Sequence, residues 1–242
     1  MRTITVSVFA LVASVMVPAS AVAQMKWTDK AYATLSVGGQ AGSHTLTTQT
    51  DFSLYEETGT LTTSQKVGGG AFVDIGGGYK VWRNMLVALS FSHVGSDSDA
   101  AIAAQVPDIA VTDRLRPVTA TLSGAKHSEN VVHINAVWMV PVTDKIDVGV
   151  IAGPSVFKIK QGLATGVTVT EPAPTVNSVA STNAKKTAGG FDLGVDVTYL
   201  LTKKIGAGVL ARYTVGSVKL PNATKSLTVG GFQFGVGARY RF

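Results

Sequence analysis

The last residues of the chain, 227–242, constrain the fold most, because they alternate strictly between two kinds of side chain. In the segment LTVGGFQFGVGARYRF, the even-numbered positions from 232 onward carry Phe, Phe, Val, Ala, Tyr and Phe, and the positions between them carry Gln, Gly and Arg. Successive side chains of a β-strand point to opposite faces, so the segment predicts one strand with an apolar face and a face of glycine and charge. The apolar face ends in an aromatic pair, Tyr240 and Phe242. This combination is typical of a strand with lipid on one side and a polar lumen on the other.

The N-terminal segment predicts export. Arg2 precedes an apolar stretch, and the motif Ala21-Val22-Ala23 follows it. A basic start, a short apolar run and an Ala-x-Ala site are the features of a secretory signal peptide. We expect a signal peptide over residues 1–23, with cleavage after Ala23 or, as the weaker option, after Ala21. A single barrel domain is then expected over residues 24–242.

Composition narrows the class of protein. The chain has no cysteine, so it carries neither a disulfide framework nor an acylated cysteine after the signal peptide. Beyond the N-terminal segment, no run reaches the ~18 apolar residues that a membrane-spanning helix needs. The formal net charge is +6, and the basic residues are scattered rather than grouped with aromatic residues. This distribution disfavours nucleic-acid binding and leaves acidic glycans and lipopolysaccharide as partners.

Seven further segments show the same alternation as the terminal strand. They are residues 31–39, 70–82, 85–95, 131–142, 146–160, 191–201 and 205–217. In the fifth segment, 146–160, we expect Pro154 to mark a bulge or a shift of phase.

The lengths of the connections define the architecture. Long polar segments at 40–67, 96–129 and about 161–188 alternate with tight connections at Arg83-Asn84, Thr143-Asp144 and Thr202-Lys203-Lys204. Short turns at one end and longer loops at the other are typical of bacterial outer-membrane barrels, which have an even number of strands. We therefore predict an all-β fold, an eight-stranded antiparallel up-and-down transmembrane β-barrel with short periplasmic turns and long extracellular loops.

Aromatic residues of the outward-facing set lie near both ends of the predicted strands. Barrels of this kind carry an aromatic girdle at each membrane interface. The predicted girdles comprise Tyr79, Trp138, Tyr199, Tyr240 and Phe242 at the end with the tight turns, and Phe91, Phe191, Tyr213 and Phe232 at the other end.

The signal peptide, the glycine-rich alternating strands, the segment FVDIGGGYKVW and the terminal GARYRF together resemble the outer-membrane β-barrel family that includes the transmembrane domain of OmpA. The resemblance covers nearly the whole mature chain, but its motifs are loose and specify no individual member. It implies that the aromatic-ended last strand is read by the outer-membrane assembly machinery. Phe234, Tyr240 and Phe242 stand at the matching positions of this assembly signal.

Inward-facing charges form a candidate lumen network. By parity it comprises Asp74, Lys80, Asp147, Asp192, Asp196, Arg212 and Arg239. Eight strands enclose a space just wide enough for side chains, and unpaired buried charges are costly. We expect these charges to pair and to close the barrel; a narrow or gated polar pore is the alternative.

The chain offers weak candidates for catalysis. His93 is near Ser90, Ser92 and Ser96 in sequence, but Ser92 and His93 should face opposite ways. His127 and His133 lack partners at metal-ligand spacing, and the glycine runs at 68–70 and 76–78 lack the Lys-Ser/Thr of a phosphate loop. We therefore expect no enzyme activity, no cofactor and no metal.

The long polar segments are the remaining candidates for function. Residues 96–129 contain acidic positions early and the pair Arg114 and Arg116 later. Segments rich in Thr and Ser are expected to be solvated β-extensions; binding of host molecules, phage or lipopolysaccharide is the functional alternative. The expected role is therefore structural or surface-interacting, adhesin- or antigen-like. A small porin-like channel and a lipid-modifying outer-membrane enzyme are the alternatives. The expected partners are outer-membrane lipid and lipopolysaccharide, the assembly machinery, and a host or surface ligand at the loops.

Overall fold

The chain forms ten antiparallel strands in residues 26–242, the part of the sequence described by this computed structural model. The predicted signal peptide and its cleavage sites, Ala21 and Ala23, lie outside the described residues. The strands are β1 (Ala31–Ala41), β2 (His44–Leu54), β3 (Glu57–Val67), β4 (Gly70–Trp82), β5 (Met85–Pro107), β6 (Leu115–Thr143), β7 (Ile146–Thr170), β8 (Thr175–Leu200), β9 (Ile205–Val218) and β10 (Leu227–Arg241).

Eight of these strands close into a ring in the order β1-β4-β5-β6-β7-β8-β9-β10, and β10 pairs with β1. All of these pairings are antiparallel, so every ring strand is hydrogen-bonded on both sides, as a membrane-spanning sheet requires. The hairpin β2–β3 lies between β1 and β4 in sequence but outside the ring, where β3 pairs with the outer part of β5. The predicted eight-stranded up-and-down barrel is confirmed.

Alternation along each strand separates the lumen from the outer surface. On β10, Gln233 is completely buried, whereas the neighbouring Phe234 is 52% exposed. Outward-facing Val195 on β8 and Val209 on β9 are exposed as well. The outer surface of the ring is therefore apolar over the length of the strands, while polar groups are enclosed.

The prediction of a bulge or shift of phase at Pro154 is wrong. The pairing of β6 with β7 keeps one register from His133↔Ser155 to Ala136↔Ala152, and the side-chain alternation does not change. Proline lacks a backbone N–H, so it interrupts the ladder hydrogen bonds without inserting a residue. The register shift in this pair lies instead between Pro141 and Thr143.

The long polar segments continue as strands, which agrees with their interpretation as β-extensions. Strands β5 to β8 are 23, 29, 25 and 26 residues long, far beyond the segments predicted from alternation. The connections that remain are short, at 55–56, 108–114 and 171–174. Threonine is favoured in strands, and cross-strand pairing within each hairpin supports the extension.

Beyond the ring, the extensions form a small sandwich, which we call the outer sandwich. Pairing of β6 with β7 ends at His127↔Gln161, so the sheet β3–β5–β6 separates there from the pair β7–β8. An apolar cluster fills the space between them, namely Leu61, Ile102, Ala104, Val106, Val118, Ala164 and Val167. This separate core holds the three outer connections in place.

Candidate functional site in the lumen and the outer connections

An ion pair joins two walls of the lumen at its centre. Arg212 on β9 donates from Nη2 to Asp74 Oδ2 on β4 at 2.7 Å, and both side chains are buried. The same guanidinium donates to Gln233 Oε1 at 2.9 Å and to Ser90 Oγ at 3.2 Å. Arg212 thus spans the lumen and contacts three other strands.

A second ion pair lies closer to the tight turns, with its arginine buried and its carboxylate partly buried. Arg239 on β10 donates from Nη2 to Asp196 Oδ2 on β8 at 2.5 Å, and its Nε lies 3.0 Å from Oδ1. Glycine makes room for this guanidinium, because a Cβ at Gly208 would lie 2.6 Å from Arg239 Nε. The inward glycines of the strand pattern therefore provide space for charged side chains.

Asp192 does not pair with arginine. Its Oδ1 accepts from Ser155 Oγ at 2.8 Å and lies 3.2 Å from His133 Nδ1, and its Oδ2 accepts from Asn135 Nδ2 at 3.1 Å. The other nitrogen of the imidazole, His133 Nε2, lies 3.0 Å from Ser92 Oγ. Sequence reasoning missed this cluster, because its five members lie on four different strands and no local motif joins them.

The remaining predicted charges close the end with the tight turns. Asp147 forms an ion pair with Arg241, a residue on the polar face of β10 that was left out of the predicted network. Lys80 contacts no acid there; its Nζ donates to the carbonyl oxygens of Trp27 at 2.9 Å and Thr28 at 3.2 Å. Trp27 is 1% exposed and lies under the charges of Lys80 and Arg241. Of the predicted charges, Asp74 pairs with Arg212 and Asp196 with Arg239, whereas Lys80, Asp147 and Asp192 have partners outside the predicted network.

A further polar layer lies at the outer end of the lumen. Glu129 accepts from the backbone N–H of Gly230 and from Gln40 Nε2, and its Oε1 lies 3.0 Å from His127 Nε2. His127 Nδ1 also lies 2.7 Å from Gln161 Oε1. These side chains are buried, and sequence reasoning assigned them no role.

Apolar side chains fill the space between the polar layers. One cluster of buried residues includes Phe72, Leu86 and Val94, and another includes Phe157 and Ile159. The lumen cavity lined by Asp74, Asn135 and Arg212 measures only about 40 Å³. That volume holds a few water molecules and no organic substrate.

The cluster at Ser92 has the hydrogen-bond order of a Ser-His-Asp triad, but it is enclosed. Ser92, His133 and Asp192 are each 0% exposed, so no acyl substrate reaches the hydroxyl in this structure. Ser155 and Asn135 bind the same carboxylate, which is consistent with a structural polar cluster. Over residues 26–242, no group of three or more His, Cys, Asp or Glu side chains is arranged to hold a metal ion.

The aromatic residues named above lie on the outer surface of the ring. Tyr79, Tyr199, Phe242, Phe91, Phe191, Tyr213, Phe232 and Phe234 are between 43% and 62% exposed, and Tyr240 is 38% exposed. Trp138 is half-buried and meets Trp82 edge-on at 6.5 Å between ring centroids. Tyr240 and Phe242 are in a similar edge-on contact at 4.6 Å. Trp82, beside a tight turn, is a further exposed aromatic residue that the predicted girdles omitted.

Charged side chains tie the three outer connections into one surface, which we call the outer tip. Arg116 forms a bidentate ion pair with Glu171 across the β5–β6 and β7–β8 hairpins, with Nη1 2.8 Å from Oε2 and Nη2 2.5 Å from Oε1. Tyr55, in the β2–β3 turn, donates from its hydroxyl to Glu171 Oε1 at 3.3 Å. Asp108 binds Arg114 and accepts from the backbone N–H of Ala110 at 2.8 Å. All three hairpins therefore meet at Glu171 and Arg116.

These contacts stabilise the ionised carboxylates of the outer tip. The backbone N–H of Ala110 and the guanidinium of Arg114 hold the pKa of Asp108 below its usual value of 3.8. Hydrogen bonds from Arg116 lower the pKa of Glu171 from 4.5. The outer tip is therefore most stable when both carboxylates carry charge.

Comparisons with solved structures found several similar chains. The Escherichia coli outer membrane protease OmpT superposes with a TM-score of 0.50 at 10% identity, over 92% of this chain and 100% of that chain. Neisserial surface protein A, NspA, superposes with a TM-score of 0.45 at 10% identity, over 88% of this chain and 97% of that chain. The N-terminal β-barrel domain of Pseudomonas aeruginosa OprF gives a TM-score of 0.37 at 12% identity, over 90% of this chain and 100% of that chain. A search of curated protein sequences found no match.

No helix in the described part of the chain is long and apolar enough to cross a membrane. The family of outer membrane protein beta-barrel domains matches residues 7–242. With a closed ring of eight antiparallel strands and a match over nearly its full length, the chain belongs to the outer membrane protein β-barrel family, and its place is the outer membrane.

Proposed function

We propose that this protein is a closed, non-enzymatic barrel whose outer sandwich presents the outer tip as a rigid surface for binding a ligand outside the cell. One observation carries the proposal: a separate apolar core and the Arg116–Glu171 pair hold three hairpin ends together. A surface held in this way loses little conformational entropy when it binds.

The exposed side chains of the outer tip support a binding role. Ile109 and Val111, in the β5–β6 connection, are 59% and 44% exposed, and Leu115 at the start of β6 is 45% exposed. These three residues lie beside the charged cluster of Asp108, Arg114 and Arg116. Apolar anchors with a polar rim are the usual composition of a protein-binding surface.

Binding is tested with the protein in lipid nanodiscs and a panel of immobilised extracellular-matrix proteins. We expect the triple variant Ile109→Ser/Val111→Ser/Leu115→Ser to lose binding to any protein that the wild type captures. The matched control places serine at Leu201 and Ile205, exposed apolar residues at the opposite end, and should bind normally. Equal binding by the wild type and the triple variant would contradict a role for the outer tip.

The closed lumen is tested separately by conductance in a planar bilayer. Folded wild-type protein should give no steady ion current, because side chains fill the lumen. A steady current that changes in Arg212→Ala would favour the channel alternative instead.

Absence of enzyme activity is tested with a fluorophosphonate probe, which labels activated serine hydroxyls. We expect no labelling of the folded wild-type protein, because Ser92 is enclosed. Labelling that disappears in both Ser92→Ala and His133→Ala would support a lipid-modifying or other hydrolytic enzyme.

A further inference from the structure

Four lysines form an exposed patch on one side of the barrel, just beyond its apolar outer surface. They are Lys126 on β6, Lys158 and Lys160 on β7, and Lys185 on β8. We call these four residues the lysine patch. All four are exposed, and none lies in the ion-pair network of the lumen.

Side-chain alternation shows that the lysine patch faces outward. On β7, Phe157 and Ile159 are fully buried inside the barrel, so Lys158 and Lys160 point to the opposite face. On β8, Ala184 packs against the interior cluster that contains these two residues, which leaves Lys185 outside. On β6, Ala125 and His127 are buried on either side of Lys126.

The height of the patch is defined by the apolar side chains beneath it. Val156 is outward-facing and 47% exposed, and Lys158 is the next outward residue on the same strand. On β8, outward Phe191 is 50% exposed. Lys185 lies on the same face of this strand, six residues earlier in the chain and separated from Phe191 by outward Thr187 and Gly189. The lysines therefore stand at the level where the lipid-facing surface gives way to lipid headgroups.

Three of the four lysines, Lys158, Lys160 and Lys185, have no acidic residue as a cross-strand partner. Lys160 and Lys185 are direct cross-strand partners on β7 and β8, a placement of like charges that destabilises a sheet. Within residues 26–242, no lysine of the patch forms an ion pair with an acidic side chain. Asp97 is the nearest acid by register, opposite Lys126. A bound anion would remove the repulsion between the lysines.

The surface beside the patch has room for such an anion. A groove of about 320 Å³ runs between Lys126 and Lys160 and is lined by Gly95, Asp97 and Ser128 among others. Outward Asn130 and Ser128 pair with Lys158 and Lys160 and add uncharged polar groups. Lysine ammonium groups bind phosphate as point charges, and they attract anionic lipid surfaces.

We infer that the lysine patch binds the phosphorylated headgroup of a glycolipid in the outer leaflet. The ligand is a membrane lipid because the patch adjoins the lipid-facing surface and lies on the side wall, away from the outer tip. A soluble polyanion is the competing ligand, and the experiment below distinguishes it from a membrane lipid.

The test uses the full-length mature protein refolded into phosphatidylcholine vesicles with or without bis-phosphorylated lipid A. The readout is the midpoint temperature of unfolding, followed by the gel shift between folded and unfolded protein. The variant Lys158→Gln/Lys160→Gln/Lys185→Gln removes three charges from the patch. The matched control, Lys145→Gln/Lys203→Gln/Lys204→Gln, removes three exposed charges at the tight turns.

We expect lipid A to raise the midpoint for the wild type and for the turn control, and to raise it less for the patch variant at the same lipid A concentration. The lipid A concentration needed for half of the rise should increase about tenfold or more in the patch variant. Dephosphorylated lipid A should give no rise with any of the proteins. An undiminished rise in the patch variant, or an equal rise with the dephosphorylated lipid, would overturn the inference.

A soluble polyanion is tested with a heparin fragment added to the protein in plain phosphatidylcholine vesicles. Binding of the fragment that depends on the lysine patch, without any effect of lipid A, would also overturn the lipid assignment. Because the patch variant removes like-charge repulsion, it should be at least as stable as the wild type in plain vesicles, so loss of folding does not confuse the result.

Discussion

At the scale of single residues, the lumen depends on a few side chains that reach across it. Arg212 is 2% exposed and donates three hydrogen bonds, one each to Asp74, Gln233 and Ser90, and the bond to Asp74 is also an ion pair. Removing one partner of a buried pair leaves the other charge without compensation, which costs more than the pair itself contributes.

We therefore expect Arg212→Ala to lower the free energy of unfolding in lipid by roughly 3–5 kcal/mol, because Asp74 is left unpaired. The measurement is urea unfolding in vesicles, followed by tryptophan fluorescence. Lys203→Ala, in an exposed turn, is the control and should change stability little. Equal stability of Arg212→Ala and the wild type would show that the lumen pair contributes no net stabilisation.

The last residue allows a prediction about assembly. Phe242 is 57% exposed on the outer surface and packs edge-on against Tyr240. We predict that deletion of Phe242 reduces the amount of protein inserted in the outer membrane several-fold, while refolding in detergent proceeds normally, because the aromatic terminus acts in recognition. The control is Phe232→Ala, which removes an outward aromatic from the other end of the same strand. Normal membrane levels of the deleted protein would refute the assembly-signal interpretation.

At the scale of strands, alternation decides which substitutions lipid tolerates. Val195 on β8 and Val209 on β9 both face outward. Val209 is paired with Val197, the next outward residue after Val195 on β8. Ser181 lies on the part of β8 that extends beyond the apolar outer surface, and its side chain is exposed to solvent.

We expect Val195→Lys to lower the free energy of unfolding in lipid by roughly 2–4 kcal/mol, because a charge near the middle of the lipid-facing surface is poorly solvated. Ser181→Lys, on the same strand and the same face, should fold as the wild type does. Both are measured by denaturant titration in vesicles. If the two variants were equally stable, the assignment of outward faces would be wrong.

At the scale of the whole molecule, the outer sandwich joins distant segments through ionised side chains. The pKa values of Asp108 and Glu171 are lowered in the folded protein, so their contribution is complete at neutral pH and is lost as the pH falls below the usual carboxyl range. Protonation of Glu171 weakens its contacts with both Arg116 and Tyr55.

We predict that the outer tip loosens as the pH falls below about 4, while the ring itself stays folded. Hydrogen exchange should show faster exchange over residues 108–116 and 170–175 at low pH, with no change in β9 and β10. The variant Glu171→Gln should show part of this loosening already at pH 7. Protection of the outer tip that is independent of pH would contradict the role of these ion pairs.

Local sequence determined the ring. The period of two placed Phe234 and Val195 outside and Arg212 and Asp192 inside, because a strand offers only two faces and lipid or lumen selects between them. The long and short connections determined strand number and topology for the same local reason. Where the sequence pattern lost its apolar face, in residues 96–129 and 161–188, alternation no longer predicted how far the strands extend.

Tertiary structure alone decided the partners inside the lumen and the joining of the loops. Parity identified Asp192 as inward but could not assign it to His133 and Ser155, because those contacts depend on the shear between strands that are far apart in sequence. The link from Arg116 to Glu171 spans 55 residues and exists only because the outer sandwich has its own apolar core. Alternation is a property of one strand, whereas a contact across a barrel is a property of the closed ring.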